Sequence, residues 1–129
     1  MPPAKQVPLP TDGELEILAV LWKRGPSTVR AVHQELSAER DIGYTTVLKL
    51  LQIMLQKGIV ARDDSAHAHI YRPAQAAERT ERSFVASLLN RAFGGSTSRL
   101  VIQALSAKRT TRAELAEIRR VLDEMEKDP

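Results

Sequence analysis

A mainly α fold is predicted for this chain of 129 residues: three helices and a short antiparallel hairpin, followed by three further helices. Three observations carry that prediction. Apolar residues recur at three- and four-residue spacing through most of the chain, as on the inward face of an amphipathic helix. One stretch departs from this: GYTTVLKLLQIMLQKGIVARDDSAHAHIYRP, residues 43–73, reads as a helix, a glycine stop and two short strands around a polar tip. Gly25-Pro26 and Gly94-Gly95 fall between periodic stretches, where helices must end.

The elements follow in order. Residues 1–10, with four prolines, read as a flexible N-terminal arm. TDGE then places Thr11 and Glu14 at capping-box spacing, so each side chain can satisfy a free backbone N–H at a helix start. Leu15, Leu18 and Leu21-Trp22 supply the apolar positions of that helix. Ser27 is the expected cap of the second helix, whose stripe is Val29, Val32 and Leu36. AERDIG is a polar connection. In the third helix Val47, Leu50, Leu51 and Met54 recur at i, i+3, i+4 and i+7, the inward face, and Gly58 is the stop. IVAR and HIYR are the two strands. Alternation places His67, His69 and Tyr71 on one face and Ala68, Ile70 and Arg72 on the other.

After Pro73 the composition changes. A helix is expected over 75–93, a shorter one over 97–108, and a last one opened by a second capping box, TRAE at 111–114. Leu115, Ile118, Leu122 and Met125 are spaced three, four and three apart, an a/d seam. Residues 11–74 can close around one core, whereas 75–129 are too thinly apolar to fold well alone. Their stripes (Val85, Leu88 and Leu89; Leu100, Val101 and Leu105; Leu115, Ile118 and Leu122) need a partner surface. A second copy of the chain is the economical partner, which makes 75–129 a helical dimerisation region; the alternative is that these helices fold back on their own domain.

Composition narrows the function. With 43% hydrophobic and only 4% aromatic residues, the core is built mainly from Leu, Val, Ile and Ala. No apolar run is long enough to span a membrane, and the N-terminus lacks the apolar segment of a signal peptide, so no membrane insertion and a cytoplasmic location are expected. The absence of cysteine excludes disulfides and Cys-ligated metal sites. His67-x-His69 offers two imidazoles where zinc usually takes three or four ligands, and His33 is the only other histidine, so no metal and no cofactor are expected. Enzyme motifs such as Gly-x-Ser-x-Gly or His-Glu-x-x-His are missing, so the chain is not read as an enzyme.

The net charge of +3 is only mildly basic, and its distribution says more. From Ile42 to Arg62 there are three cations, Lys49, Lys57 and Arg62, and no carboxylate. Phosphate binding needs such a locally positive surface. Helices two and three make a helix-turn-helix and the hairpin makes a wing. In that arrangement the third helix enters the DNA major groove. Its outward face offers Tyr44, Thr45, Thr46, Leu48, Lys49 and Gln52. Threonine hydroxyls can meet bases or phosphates, Lys49 a phosphate or a guanine edge, and Leu48 a thymine methyl. Ser27 and Arg30 at the second helix, and Arg62, His67 and His69 on the wing (with Arg72), complete the candidate DNA-contact set. Against these stand plainer readings: Tyr44 packing at the helix start, Thr46 half-buried beside the second helix, and a wing that is only a solvated turn. A protein-binding winged helix would use the same fold. A small-molecule-sensing regulator would need a pocket among the C-terminal helices, where Phe84 and Phe93 are the only aromatic residues.

At these residues the chain resembles the penicillinase-repressor family, also called the BlaI/MecI/CopY family. The carriers are TDGELEILAVLWKRGPSTVRAVHQEL, then GYTTVLKLLQIMLQKGIVAR, the Tyr71-Arg72-Pro73 exit from the wing, and SFVASLLNRAFGGSTSRLVIQAL, which is similar to the family's dimer segment. The resemblance implies a dimeric winged-helix repressor that binds a pseudo-palindromic double-stranded DNA operator and commonly controls resistance genes. It also implies release, in some members, through a membrane sensor-protease pathway that ends in cleavage of the dimerisation region. Where those members carry Asn-Phe, this chain has Gln103-Ala104, the candidate cleavage region. The copper-responsive branch uses a C-terminal cysteine motif that is missing here, and Ile53 stands where the family often has an arginine.

Overall fold

Helix α1 spans Asp12–Arg24 and opens with the capping box that the sequence predicts. Thr11 Oγ1 accepts from the Glu14 N–H (3.3 Å), and Glu14 Oε1 accepts from the Thr11 N–H (2.9 Å). The structure is a computed structural model describing residues 7–65 and 67–127. Most of the expected arm, residues 1–6, lies outside the described residues, while Val7 is half-buried against the core. Helix α2 spans Val29–Ser37 and is capped by Thr28, whose Oγ1 accepts from the Ala31 N–H (3.1 Å). The expected cap, Ser27, is drawn elsewhere, as described below. Helix α3 spans Tyr44–Lys57 and stops at Gly58, whose φ of 80° is a left-handed conformation that glycine adopts without steric cost.

Strands β1 (Val60–Asp63) and β2 (Ile70–Pro73) pair antiparallel, with Val60 opposite Pro73 and Arg62 opposite Tyr71. Both start one residue later than IVAR and HIYR suggest. Residues 67–69 therefore precede the ladder: Tyr71 is buried in the core while His67 and His69 are exposed. Helices α4 (Ala77–Arg91), α5 (Thr97–Ala107) and α6 (Arg112–Lys127) follow, and Thr111 with Glu114 forms the second predicted capping box.

The chain packs as two compact units, one ending at Phe84 and the other beginning at Val85, within α4. This division falls later than residue 75. The first turns of α4 are held to the first unit: Trp22 Nε1 donates to the Gln75 carbonyl (3.1 Å), and Thr80 is buried.

One apolar cluster organises the first unit. It combines Ile17, Leu18 and Leu21 of α1 with Val29, Val32 and Leu36 of α2 and Val47, Leu51 and Met54 of α3, closed by Ile42, Ile59, Val60 and Tyr71. The α2 and α3 stripes are those of the sequence pattern, with Leu50 only half-buried. On α1 the inward face is rotated: Ile17 is fully buried, and Leu15 and Trp22 sit at the margin. The indole N–H explains the position of Trp22, because it needs a polar partner and finds one at Gln75.

Glu14 is the exception to a rule of solvated carboxylates. Its residue is 1% exposed, and Oε2 accepts from Lys57 Nζ at 2.8 Å. A buried carboxylate is costly unless it is paired and hydrogen-bonded. Burial pushes the Glu14 pKa up, but the Lys57 hydrogen bond and the Thr11 N–H outweigh it, and the net position is below the ordinary 4.5. The folded form therefore binds this proton less readily than the unfolded chain. The resulting stabilisation is fully present above about pH 4.5 and is lost as pH falls through the depressed pKa. Urea midpoints measured from about pH 7 down to about pH 3 should fall more steeply for the wild type than for Glu14→Gln. Parallel curves would show that the pair adds nothing to acid sensitivity.

Candidate nucleic-acid interface

The outward face of α3 is built by elimination. Val47, Leu51 and Met54 turn inward, so Thr45, Thr46, Lys49 and Gln52 must point out, and all four are exposed. Thr46 is thus not half-buried against α2. Leu48 is half-buried, with one side on the core and the other on the surface. The α3 N-terminus carries no side-chain cap, since Gly43 has none to offer, and its first turn holds no acidic residue. Free N–H groups and the helix dipole there favour an anion.

The wing lies alongside. Arg62 on β1, Ala68 and His69 at the tip, and Tyr71 on β2 line an open groove of about 570 Å³ together with Thr28, Val29 and Arg30 of the α2 start and Tyr44, Leu48 and Gln52 of α3. The structure thus brings Arg30, Tyr44, Leu48, Gln52, Arg62 and His69 to one concave surface. Thr45, Thr46, Lys49 and His67 are exposed but do not line it. A groove lined by both cationic and apolar side chains can seat a strand edge or a nucleotide backbone.

Ser27 does not belong to that surface. It is 4% exposed, and its backbone N–H and carbonyl both pair with Tyr71 (2.9 and 2.8 Å), extending the wing by one bridge. Its hydroxyl donates to the Gly25 carbonyl (2.8 Å). The polar groups of Ser27 are thereby committed inward, which removes it from the contact set and explains why Thr28 takes over the cap.

The electrostatics also differ from the linear picture. Of the three cations between Ile42 and Arg62, Lys57 is tied to Glu14, and Arg62 to Asp64 through Nε–Oδ1 (2.6 Å) and Nη2–Oδ2 (3.3 Å). Among the described residues only Lys49 of the three has no ion-pair partner. Asp64 also accepts from His69 Nδ1 (2.7 Å). The Arg62 hydrogen bond holds the Asp64 carboxyl below its ordinary range, with His69 adding to it. Arg62 in turn is held more firmly protonated, by Tyr71 first and Asp64 second. Sequence spacing missed both pairings, and for different reasons. Glu14 and Lys57 are far apart in the chain, and their approach depends on how α1 packs on α3. Arg62 and Asp64 are near neighbours in the chain, but their pairing depends on how the wing tip folds.

Among the described residues no cluster of three metal-ligating side chains forms, and no helix is long and apolar enough to cross a membrane.

Three helices with an outward third helix, followed at once by a two-stranded hairpin, define a winged helix-turn-helix protein. The family model described as penicillinase repressor matches residues 10–124. Among curated relatives, the transcriptional regulator BlaI of Mycobacterium tuberculosis is 35% identical over 117 residues, covering 88% of this chain and 84% of the relative. The penicillinase repressor of Bacillus licheniformis is 25% identical over 124 residues, 93% of this chain and 94% of the relative. Among solved structures, the monomeric form of Bacillus licheniformis BlaI in complex with the blaP half-operator is similar over 58% of this chain and 92% of that one, with a TM-score of 0.51 and 25% identity. The chain belongs to the penicillinase repressor family, a family of regulators and not of enzymes.

Proposed function

We propose that the protein is a DNA-binding transcriptional repressor that acts as a homodimer on a pseudo-palindromic operator. The observation that carries this reading is the acid-free, uncapped outward face of α3 beside the wing, in a chain of a repressor family whose Bacillus licheniformis member was solved with a half-operator. Thr45, Thr46, Lys49 and Gln52 of α3 face the bases and phosphates of a major groove, and Arg30, Arg62, His67 and His69 approach the flanking backbone.

The dimer is supported by the second unit. Among the described residues of α5 and α6 none is buried. Val85, Leu88, Val101, Leu105 and Leu122 are exposed, and Leu89, Leu100, Leu115 and Ile118 only half-buried. Apolar stripes left this open favour a partner of the same kind, and a two-fold pair would read half-sites about one helical turn or a multiple apart. Release by a sensor-protease pathway would act at Gln103-Ala104. Both residues are exposed, but the bond lies inside α5, so cutting requires that helix to open first. A repressor like its bacterial relatives works where the bacterial chromosome lies, in the cytoplasm.

The test is recovery of genomic DNA fragments on the purified protein, followed by binding to one recovered site across a salt series. A short dyad-symmetric sequence, bound more weakly as salt rises, is the expected result. Recovery of nothing above background would overturn the reading. On the recovered site, Lys49→Ala should weaken binding and lower the salt slope by about 1, because this cation has no ion-pair partner among the described residues. An unchanged slope would place Lys49 off the phosphate backbone.

A further inference from the structure

His33 stands outside every role given above, yet it is placed at the joint between the two helices of the DNA-reading motif. Its Nε2 lies 2.8 Å from the Ile42 carbonyl, and a carbonyl can only accept, so Nε2 carries a hydrogen and donates it. Ser37 Oγ is 3.1 Å from the same nitrogen. The imidazole is therefore fixed from α2 to the residue that precedes the α3 cap. So held, it meets the Tyr44 ring edge-on, with centroids 5.7 Å apart and planes at 79°. This is a favoured aromatic geometry. Tyr44 is 47% exposed, lines the groove, and is the first residue of α3.

We propose that His33 is a positioning residue for DNA recognition: it holds the Tyr44 ring in the orientation that meets the operator and touches no DNA itself. The inference rests on the repressor reading. A free tyrosine ring at an exposed helix start samples several rotamers, and ordering it on binding costs affinity. His33 bears that ordering in the free protein.

The experiment is a double-mutant cycle on the full-length protein, with a duplex selected by the wild type from randomised DNA. His33→Gln retains an amide donor for the Ile42 carbonyl and removes the ring. It should weaken binding by about two- to tenfold, the range an aromatic pair accounts for. In a Tyr44→Leu background the same substitution should have almost no effect. A merely structural role for His33 would give equal losses in both backgrounds, and that additive result would overturn the proposal, as would no loss in the first. A second readout needs no DNA: the Tyr44 ring-proton shifts in the free protein should move on His33→Gln, and unmoved shifts would show that the imidazole does not hold the ring. Failure of the wild type to select any duplex would count against the repressor reading and take the operator role of the pair with it. The ring shifts would still decide whether His33 fixes Tyr44.

Discussion

Leu51→Ala is expected to destabilise the first unit by about 2–5 kcal/mol. Leu51 has no exposure, and it sits in mid-α3 between Val47 and Met54, where the cluster draws on all three helices. Truncation there removes the transfer energy of the lost methyl groups and leaves a void that the surrounding helices close only in part. A unit of this size has a total stability of about 5–10 kcal/mol, so the loss is a large share of it. Leu48→Ala, at a half-buried position three residues earlier, should cost clearly less. Urea unfolding followed by the fluorescence of Trp22, the single tryptophan, measures both. A Leu51→Ala curve superimposed on the wild type would remove Leu51 from the core.

The largest expected loss of affinity comes from ending the chain at Phe84. In the proposed dimer, monovalent binding to one half-site would replace bivalent binding to two, and the gain from linking two sites, about 10²–10⁴-fold, would disappear. The cut is placed there and not at residue 75 because the Trp22–Gln75 hydrogen bond and buried Thr80 keep the start of α4 with the first unit. Sedimentation should show a monomer. On an isolated half-site the shortened and full-length chains should bind alike, which separates lost bivalency from a damaged reading surface. A shortened chain that still sediments as a dimer would put the contact between copies in the first unit.

The helices, the hairpin and most of the core were legible in the sequence because their causes are local. A capping box needs only Thr11 and Glu14 three apart, and a helix stop only Gly58. The α3 stripe follows from a 3.6-residue repeat. What the sequence concealed is set by packing between elements. Thr28, not Ser27, caps α2 because β2 recruits the Ser27 backbone. Ile17 is buried because α1 is rotated to meet α2 and α3 at once. The paired state of Lys57 and the His33–Tyr44 contact both join residues from different helices. Of the reading surface, the exposed positions of α3 followed from periodicity, while the electrostatic state of its cations required the fold.

That electrostatic state bears on how a repressor finds its operator. Attraction to arbitrary sequence is almost wholly ionic and grows with the number of unpaired cations facing the duplex. Here carboxylates of the chain itself already engage Lys57 and Arg62. Sliding along random DNA should therefore be brief, and fewer copies should be held by the great excess of competing genomic sites. Selectivity then depends on the ratio between operator and bulk DNA more than on absolute tightness. A repressor built this way would leave a larger share of its copies free of bulk DNA.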